Sequence, residues 1–122
     1  MAKVIGYQQQ FIRGVSGSYK LVTSTGAPTF DWRMANFQEM TLTANVTCVH
    51  FNNPRRAAKL DILFRQDGTG GRTVTGWPAC VLWLGRTAPT LGACPGYADL
   101  ISLNYNGVNF FGTIDKDAGP SA

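Results

Sequence analysis

The stretch Asp99-Leu-Ile-Ser-Leu-Asn-Tyr-Asn-Gly-Val-Asn-Phe-Phe-Gly-Thr-Ile114 decides the fold class. Its two apolar runs flank Asn106-Gly107, and an Asn-Gly pair in that position is the strongest short signal for a two-residue β-hairpin. Phe110 and Phe111 are adjacent and cannot both face the same side of one strand, since side chains alternate. We therefore expect one ring in the core and the other on a second surface, against a neighbouring subunit.

The same alternation appears upstream, in residues 58–66. Leu60, Ile62 and Phe64 fall on one face, whereas Leu63 stands among polar residues on the other. A period of two is typical of a strand with one buried face. The presence of Leu63 indicates that the second face is also partly covered.

Further short runs of strand-forming residues recur at roughly ten-residue spacing along the chain. No segment shows a helical period with caps. About eight short strands predict an all-β fold, an antiparallel β-sandwich or jelly roll. The other candidate strands are residues 19–23, 29–34, 38–43, 46–51, 72–75 and 80–84.

A chain of 122 residues has room for one domain. We expect an extended N-terminal arm over residues 1–27, a β-sandwich domain over 28–114 and a flexible C-terminal tail over 115–122. The first residues lack a charged leader followed by an apolar run, so we expect no signal peptide and synthesis in the cytoplasm. No stretch approaches the ~18 apolar residues that span a bilayer, so we expect no membrane partner.

The charge balance is mildly basic. Eleven Lys and Arg against seven Asp and Glu give a net charge of +4, and aromatic residues do not interleave with the basic ones as a stacking platform requires. We therefore expect no nucleic-acid partner. Arg55, Arg56 and Lys59 form a short basic cluster, which is either a solvated rim or a contact for an acidic protein surface.

Residues for catalysis are scarce. The chain has one histidine, His50, and no nucleophile motif, so we expect no enzyme, no cofactor and no metal site. An enzymatic alternative, such as a small esterase, requires Cys48 or His50 to lie in a cleft with an orienting partner. The glycines of residues 68–71 resemble a phosphate-binding loop but precede a predicted strand, and phosphate sites of this kind need a helix N-terminus.

The three cysteines, Cys48, Cys80 and Cys94, include no CxxC pair, and their spacing matches no common zinc pattern. An odd number cannot pair completely within one chain. They are either small buried thiols or candidates for a disulfide across a subunit interface.

Several blocks of the chain resemble, in order, a small β-domain found in virion proteins of tailed bacteriophages. The blocks are Gln66-Asp-Gly-Thr-Gly-Gly-Arg-Thr-Val-Thr75 followed by Gly76-Trp77-Pro78-Ala79, then Thr87-Ala-Pro-Thr-Leu91, and then Leu100 to Gly112. The resemblance extends over residues 28–113. Gly76 stands as an extra residue before Trp77-Pro78, and Cys80 and Cys94 replace more usual small or hydroxyl residues.

The resemblance implies a virion protein with a β-sandwich fold, made in a bacterial host. The domain it resembles often lies at the end of tail fibres and also forms short stand-alone structural proteins. Its motifs are fold-forming residues, so the resemblance implies no catalytic or receptor residue.

The first functional hypothesis is a capsid decoration (cement) protein on the outer capsid surface, with the major capsid protein as partner. An arm and one compact domain suit a protein that clips across capsomers through many weak contacts. We favour a homotrimer, with a dimer as the alternative. The expected capsid or subunit contacts are Val4, Ile5, Tyr7, Phe11, Ile12, Arg55, Arg56 and Lys59.

The alternative hypothesis is a tail-fibre or tail-tip component that binds a host surface receptor. Exposed aromatic residues and the asparagines Asn104, Asn106 and Asn109 suit contacts with a sugar. Copy number separates the two hypotheses, because symmetry gives a shell protein hundreds of copies and a tail part about 3 to 18.

Overall fold

A computed structural model describes residues 18–54 and 57–119 of the chain. These ranges contain eight β-strands and no helix, which confirms the all-β prediction. They therefore contain no helical segment long and apolar enough to span a membrane. The strands are β1 (Tyr19–Leu21), β2 (Thr29–Asp31), β3 (Phe37–Leu42), β4 (His50–Asn52), β5 (Ala58–Gln66), β6 (Val81–Trp83), β7 (Ala98–Tyr105) and β8 (Phe110–Ala118).

The strands form two sheets, a six-stranded sheet in the order β1-β3-β5-β7-β8-β6 and a two-stranded sheet of β2 and β4. Only β5/β7 and β7/β8 pair antiparallel; β1/β3, β3/β5, β2/β4 and β6/β8 pair parallel. The pairing is therefore mixed and differs from the expected antiparallel sandwich. The reason is that β1 to β5 alternate between the two sheets. The connection between two parallel strands of one sheet therefore passes through a strand of the other sheet, which provides the crossover that parallel pairing requires.

The core lies between the two sheets and is rich in aromatic rings. Phe30 on β2 is fully buried, and its ring centroid lies 5.9 Å from that of Phe64 on β5. Phe51 on β4 lies 5.0 Å from Phe110 on β8. Burial of a side chain of this size contributes about 1.5–3 kcal/mol. Since β2 and β4 are each only three residues long, these rings rather than backbone pairing hold the small sheet on the large one.

The predicted hairpin joins β7 and β8. The side-chain carbonyl of Asn106 accepts the backbone N–H groups of Val108 and Asn109 at 2.9 and 2.8 Å, and Gly107 has a φ of 97°. Phe110 is 2% exposed, whereas Phe111 is half-buried on the opposite face of the sheet. The expected division of the two rings between core and surface is confirmed, and the neighbouring subunit stays a prediction.

Several strand boundaries differ from those expected. β1 lies within the predicted strand of residues 19–23, and β8 continues to Ala118, past residue 114. Residues 72–75 form no strand; Val74 makes a single parallel bridge to Val46. Both residues lie outside the eight strands, so two loop segments are paired here at one residue only, and residue type does not distinguish such a bridge from a strand.

Candidate functional site

A cleft of about 550 Å³ opens at the edge of the six-stranded sheet beside β6. We call it the tryptophan cleft. Its walls are β6, residues 73–78 before it and residues 88–91 after it. Val74, Val81 and Leu91 line its depth and belong to the buried core, so the cleft is an opening into the core between loops.

Trp77 and Trp83 form a corner in this cleft. Their ring centroids are 5.0 Å apart and their planes meet at 77°. Trp83 pairs with Gly112 across the β6/β8 ladder, and the indole occupies the space that a side chain at Gly112 would fill. Trp77 packs edge-on against Phe51 and Phe64, at 6.3 and 6.1 Å. Both indoles are half-buried, so each rests on the core and leaves part of its surface to the cleft.

The remaining lining of the cleft is neutral. Thr73, Thr75 and Thr90 are exposed on its rim, and Pro78 and Pro89 add apolar surface. Among the lining residues in the described ranges, none carries a charge. Flat apolar walls with hydroxyl groups at the rim suit a ligand that is itself uncharged and partly apolar.

Gln66, at the end of β5, fixes the two loops that border the cleft. It is 3% exposed, and its side-chain amide donates to the carbonyls of Arg72 (2.8 Å) and Gly92 (2.9 Å). Its side-chain oxygen accepts the backbone N–H of Arg72 at 3.0 Å. The alternation of apolar and polar residues in 58–66 identifies Gln66 only as the last residue of a strand. A buried glutamine facing the core is the signal that would have indicated such a role.

Asp99 adds a second tie beneath the same loop. Its carboxylate is buried and accepts the backbone N–H groups of Gly92 at 2.6 Å and of Asp117 at 2.8 Å. Strand β7, the loop before it and the end of β8 are thereby joined at one point. This carboxylate is occupied by backbone donors and has a structural role.

The Gly-rich turn after β5 does not form a phosphate site. The Asp67 carboxylate already accepts the N–H groups of Thr69 and Gly70 and the guanidinium of Arg72. The Arg72 guanidinium, followed by the Gly70 and Thr69 amides, holds the pKa of Asp67 below its ordinary value. The donors that would hold a phosphate are therefore used inside the turn.

Cys48 and His50 do come together, with Sγ and Nε2 3.3 Å apart. They lie outside the tryptophan cleft, and within residues 18–54 and 57–119 no carboxylate bonds the imidazole to orient it. No group of three or more His, Cys, Asp and Glu side chains in these ranges is placed to hold a metal ion. This pair therefore does not line the tryptophan cleft, and the enzymatic alternative gains no support from the contact between the two side chains.

The expected contact residues Val4, Ile5, Tyr7, Phe11 and Ile12, together with Arg55 and Arg56, lie outside the described residues. Lys59 is exposed on β5, with its ammonium 3.4 Å from the Asp61 carboxylate. The basic cluster therefore stays a prediction.

The three cysteines form no disulfide with one another within the chain, and none is fully buried. Cys48 and Cys80 are half-buried, and Cys94 is exposed. The structure thus differs from the expectation of buried thiols, and a disulfide across a subunit interface stays a prediction. Of the three asparagines considered for sugar contacts, Asn106 uses its carbonyl within the hairpin turn.

A comparison with protein-family models identifies the family of this chain. A family described as "Putative phage tail fibre C-terminal domain" matches residues 22–110, a range that contains the tryptophan cleft and the two-stranded sheet. No curated protein and no solved structure matches the chain. The match covers most of the 122 residues, and the chain belongs to this phage tail fibre C-terminal domain family, as a bacteriophage virion structural protein with a β-rich fold.

Proposed function

We propose that this protein is a receptor-binding module at the tip of a phage tail fibre or tail appendage. The family match over residues 22–110 carries the proposal. The match favours the tail-fibre hypothesis over the capsid decoration hypothesis. The decoration hypothesis depends on an N-terminal arm and on contact residues that lie mostly outside the described residues. The proposal includes no catalytic step.

The geometry supports the proposal through the placement of the tryptophan cleft. Binding residues in such domains are typically carried by loops on a rigid scaffold. Here the loops of residues 73–78 and 88–91 are tied to the sheet by Gln66, and they surround the half-buried indole rings. Partly accessible aromatic side chains that line a cleft are typical of a ligand-binding site.

Two measurements test the proposal. Quantitative mass spectrometry of purified particles should find about 3 to 18 copies of this chain per particle, the number expected for a tail component. The purified chain should also compete with the phage for adsorption to host cells. Phe30→Ala serves as a control, because loss of a fully buried core ring should unfold the domain and remove competition.

A copy number comparable to that of the major capsid protein would contradict the proposal and favour the decoration hypothesis. Failure of the folded chain to slow adsorption at saturating concentration would contradict receptor binding even if the copy number is low.

A further inference from the structure

We propose that the tryptophan cleft binds a short uncharged glycan, with Trp77 and Trp83 as its stacking surfaces. This inference rests on the proposed receptor-binding function and names the class of receptor and the site that takes it.

The size and shape of the cleft suit this ligand. Its volume of about 550 Å³ lies within the range of roughly 300–1,000 Å³ that is typical of small-molecule sites. The indoles meet at 77°, so a ring seated in the corner contacts both of them. A pyranose has apolar C–H faces and a hydroxyl perimeter, which match an aromatic corner surrounded by threonine hydroxyls.

The charge of the site selects among glycans. The lining residues in the described part of the chain are uncharged, and Thr73 and Thr90 present neutral hydroxyls at the rim. An anionic sugar would lose hydration in this cleft without gaining a cationic partner, which is unfavourable. The site therefore favours neutral hexoses over uronic acids, sialic acids or phosphorylated sugars.

One of the two indoles also carries an unsatisfied donor. The indole Nε1 of Trp77 is buried and has no hydrogen-bond partner within the described residues. A buried polar group without a partner is uncommon in native proteins. Because the protein covers this nitrogen, a sugar hydroxyl can accept from it only when binding uncovers it.

The site is formed before the ligand arrives. Trp83 is supported by Gly112, Trp77 by Phe51 and Phe64, and both loops are tied by Gln66. Rings that are already held in place lose little freedom on binding, so more of the contact energy appears as affinity.

The test uses the full 122-residue chain on an array that carries neutral hexose oligosaccharides beside uronic-acid and phosphorylated oligosaccharides. Binders are then titrated calorimetrically. Trp83→Ala should weaken binding of a neutral oligosaccharide about tenfold or more, since it removes one stacking surface. Thr90→Arg should block the cleft from its exposed rim.

Leu82→Ala is the matched control for Trp83→Ala. Leu82 precedes Trp83 on β6, is 44% exposed and points to the opposite face of the sheet, so its truncation should leave binding unchanged. If Trp83→Ala unfolds, Thr90→Arg decides the test, because residue 90 is exposed on a loop.

Three outcomes would overturn the inference. Preferential binding of anionic sugars would contradict the neutral specificity, and binding that survives both Trp83→Ala and Thr90→Arg would place the site elsewhere. Absence of any glycan binding, while the chain still competes for adsorption to periodate-treated cells, would leave receptor binding standing and remove the glycan. Loss of competition on all cells would instead contradict the proposed function itself.

Discussion

The indole of Trp83 lies directly against the backbone of Gly112. A Cβ atom at Gly112 would stand 2.6 Å from Cζ3 of that ring and 3.2 Å from a methyl group of Leu103. These three residues are register partners on the core face of neighbouring strands. The absence of a side chain at Gly112 is therefore what allows β6 to place a tryptophan in the cleft.

Gly112→Ala should consequently displace Trp83 and destabilise the domain by about 1–3 kcal/mol, the usual cost of overpacking. Urea denaturation and the tryptophan emission spectrum of the folded state would measure the two effects. Thr113→Ala, at the exposed next position of β8, is the control and should change neither. An unshifted emission spectrum in a stable Gly112→Ala variant would contradict this packing.

Gly76 is required for a different reason. Its φ is 74°, and a Cβ atom there would overlap the backbone of Thr47 and Cys48. Gly71 has nearly the same φ, 73°, with no atom near its absent Cβ. Both alanine variants incur the left-handed strain of about 1–2 kcal/mol, but only Gly76→Ala adds a steric conflict with backbone.

Thermal denaturation of both variants separates these terms. We expect Gly76→Ala to be clearly less stable than Gly71→Ala, with loss of the adjacent bond from the Val49 N–H to the Gly76 carbonyl. Equal midpoints for the two variants would mean that Thr47 moves away at little cost.

Much of the fold follows from local patterns. Alternation in residues 58–66 and the Asn106-Gly107 turn predict β5 and the β7–β8 hairpin closely. Parallel pairing could not be predicted in the same way, because it arises from the alternation of β1 to β5 between two sheets. Side-chain periodicity reports which face of a strand is buried, and it carries no information on which strand lies beside it.

The candidate site was only partly accessible from sequence. Trp77 and Trp83 are two of the three tryptophans of the chain, but nothing in their spacing places them in one corner. That juxtaposition depends on β6 pairing with β8 and on the loop of residues 73–78 passing over the core edge. Gln66 was missed because its three hydrogen bonds reach residues 6 and 26 positions away.

The turn around Asp67 predicts a pH dependence. The pKa of Asp67 lies below its ordinary value of 3.8, chiefly through the Arg72 guanidinium, and then the Gly70 and Thr69 amides. A carboxyl group whose pKa is lower in the folded than in the unfolded state stabilises the fold at pH values above the unfolded-state pKa of 3.8. This stabilisation is lost as the pH falls from 3.8 toward the lower pKa of the folded state.

Asp67→Asn should therefore lower the melting temperature at neutral pH, and its deficit should shrink as the solution becomes more acidic than about pH 4. Melting curves from about pH 7 to about pH 2 would show the convergence. Asp115→Asn, at an exposed position on β8, is the control and should follow the wild-type profile. A deficit that is constant over the whole range would contradict a contribution from the Asp67 charge.

Thiol reactivity should rank the three cysteines. Cys94 is exposed, whereas Cys48 and Cys80 are half-buried, and accessible thiols react first with alkylating reagents. Brief treatment of the native protein with a maleimide, followed by peptide mass spectrometry, should label Cys94 most rapidly, and denaturation should equalise the rates. Faster labelling of Cys48 would contradict this order.

Gln66 provides the test that connects folding to the cleft. Gln66→Leu leaves the carbonyls of Arg72 and Gly92 and the N–H of Arg72 without their partner, and each unsatisfied buried group costs about 1–3 kcal/mol.

Gln38→Leu is a matched control, because Gln38 is also buried and donates to two carbonyls, those of Asp31 and Ala35. Both variants should be less stable by urea denaturation. Since Gln66 ties the cleft loops and Gln38 does not, only Gln66→Leu should also expose Trp77 and Trp83 to acrylamide quenching of their fluorescence. Equal quenching in the two variants would mean that the loops keep their positions without Gln66.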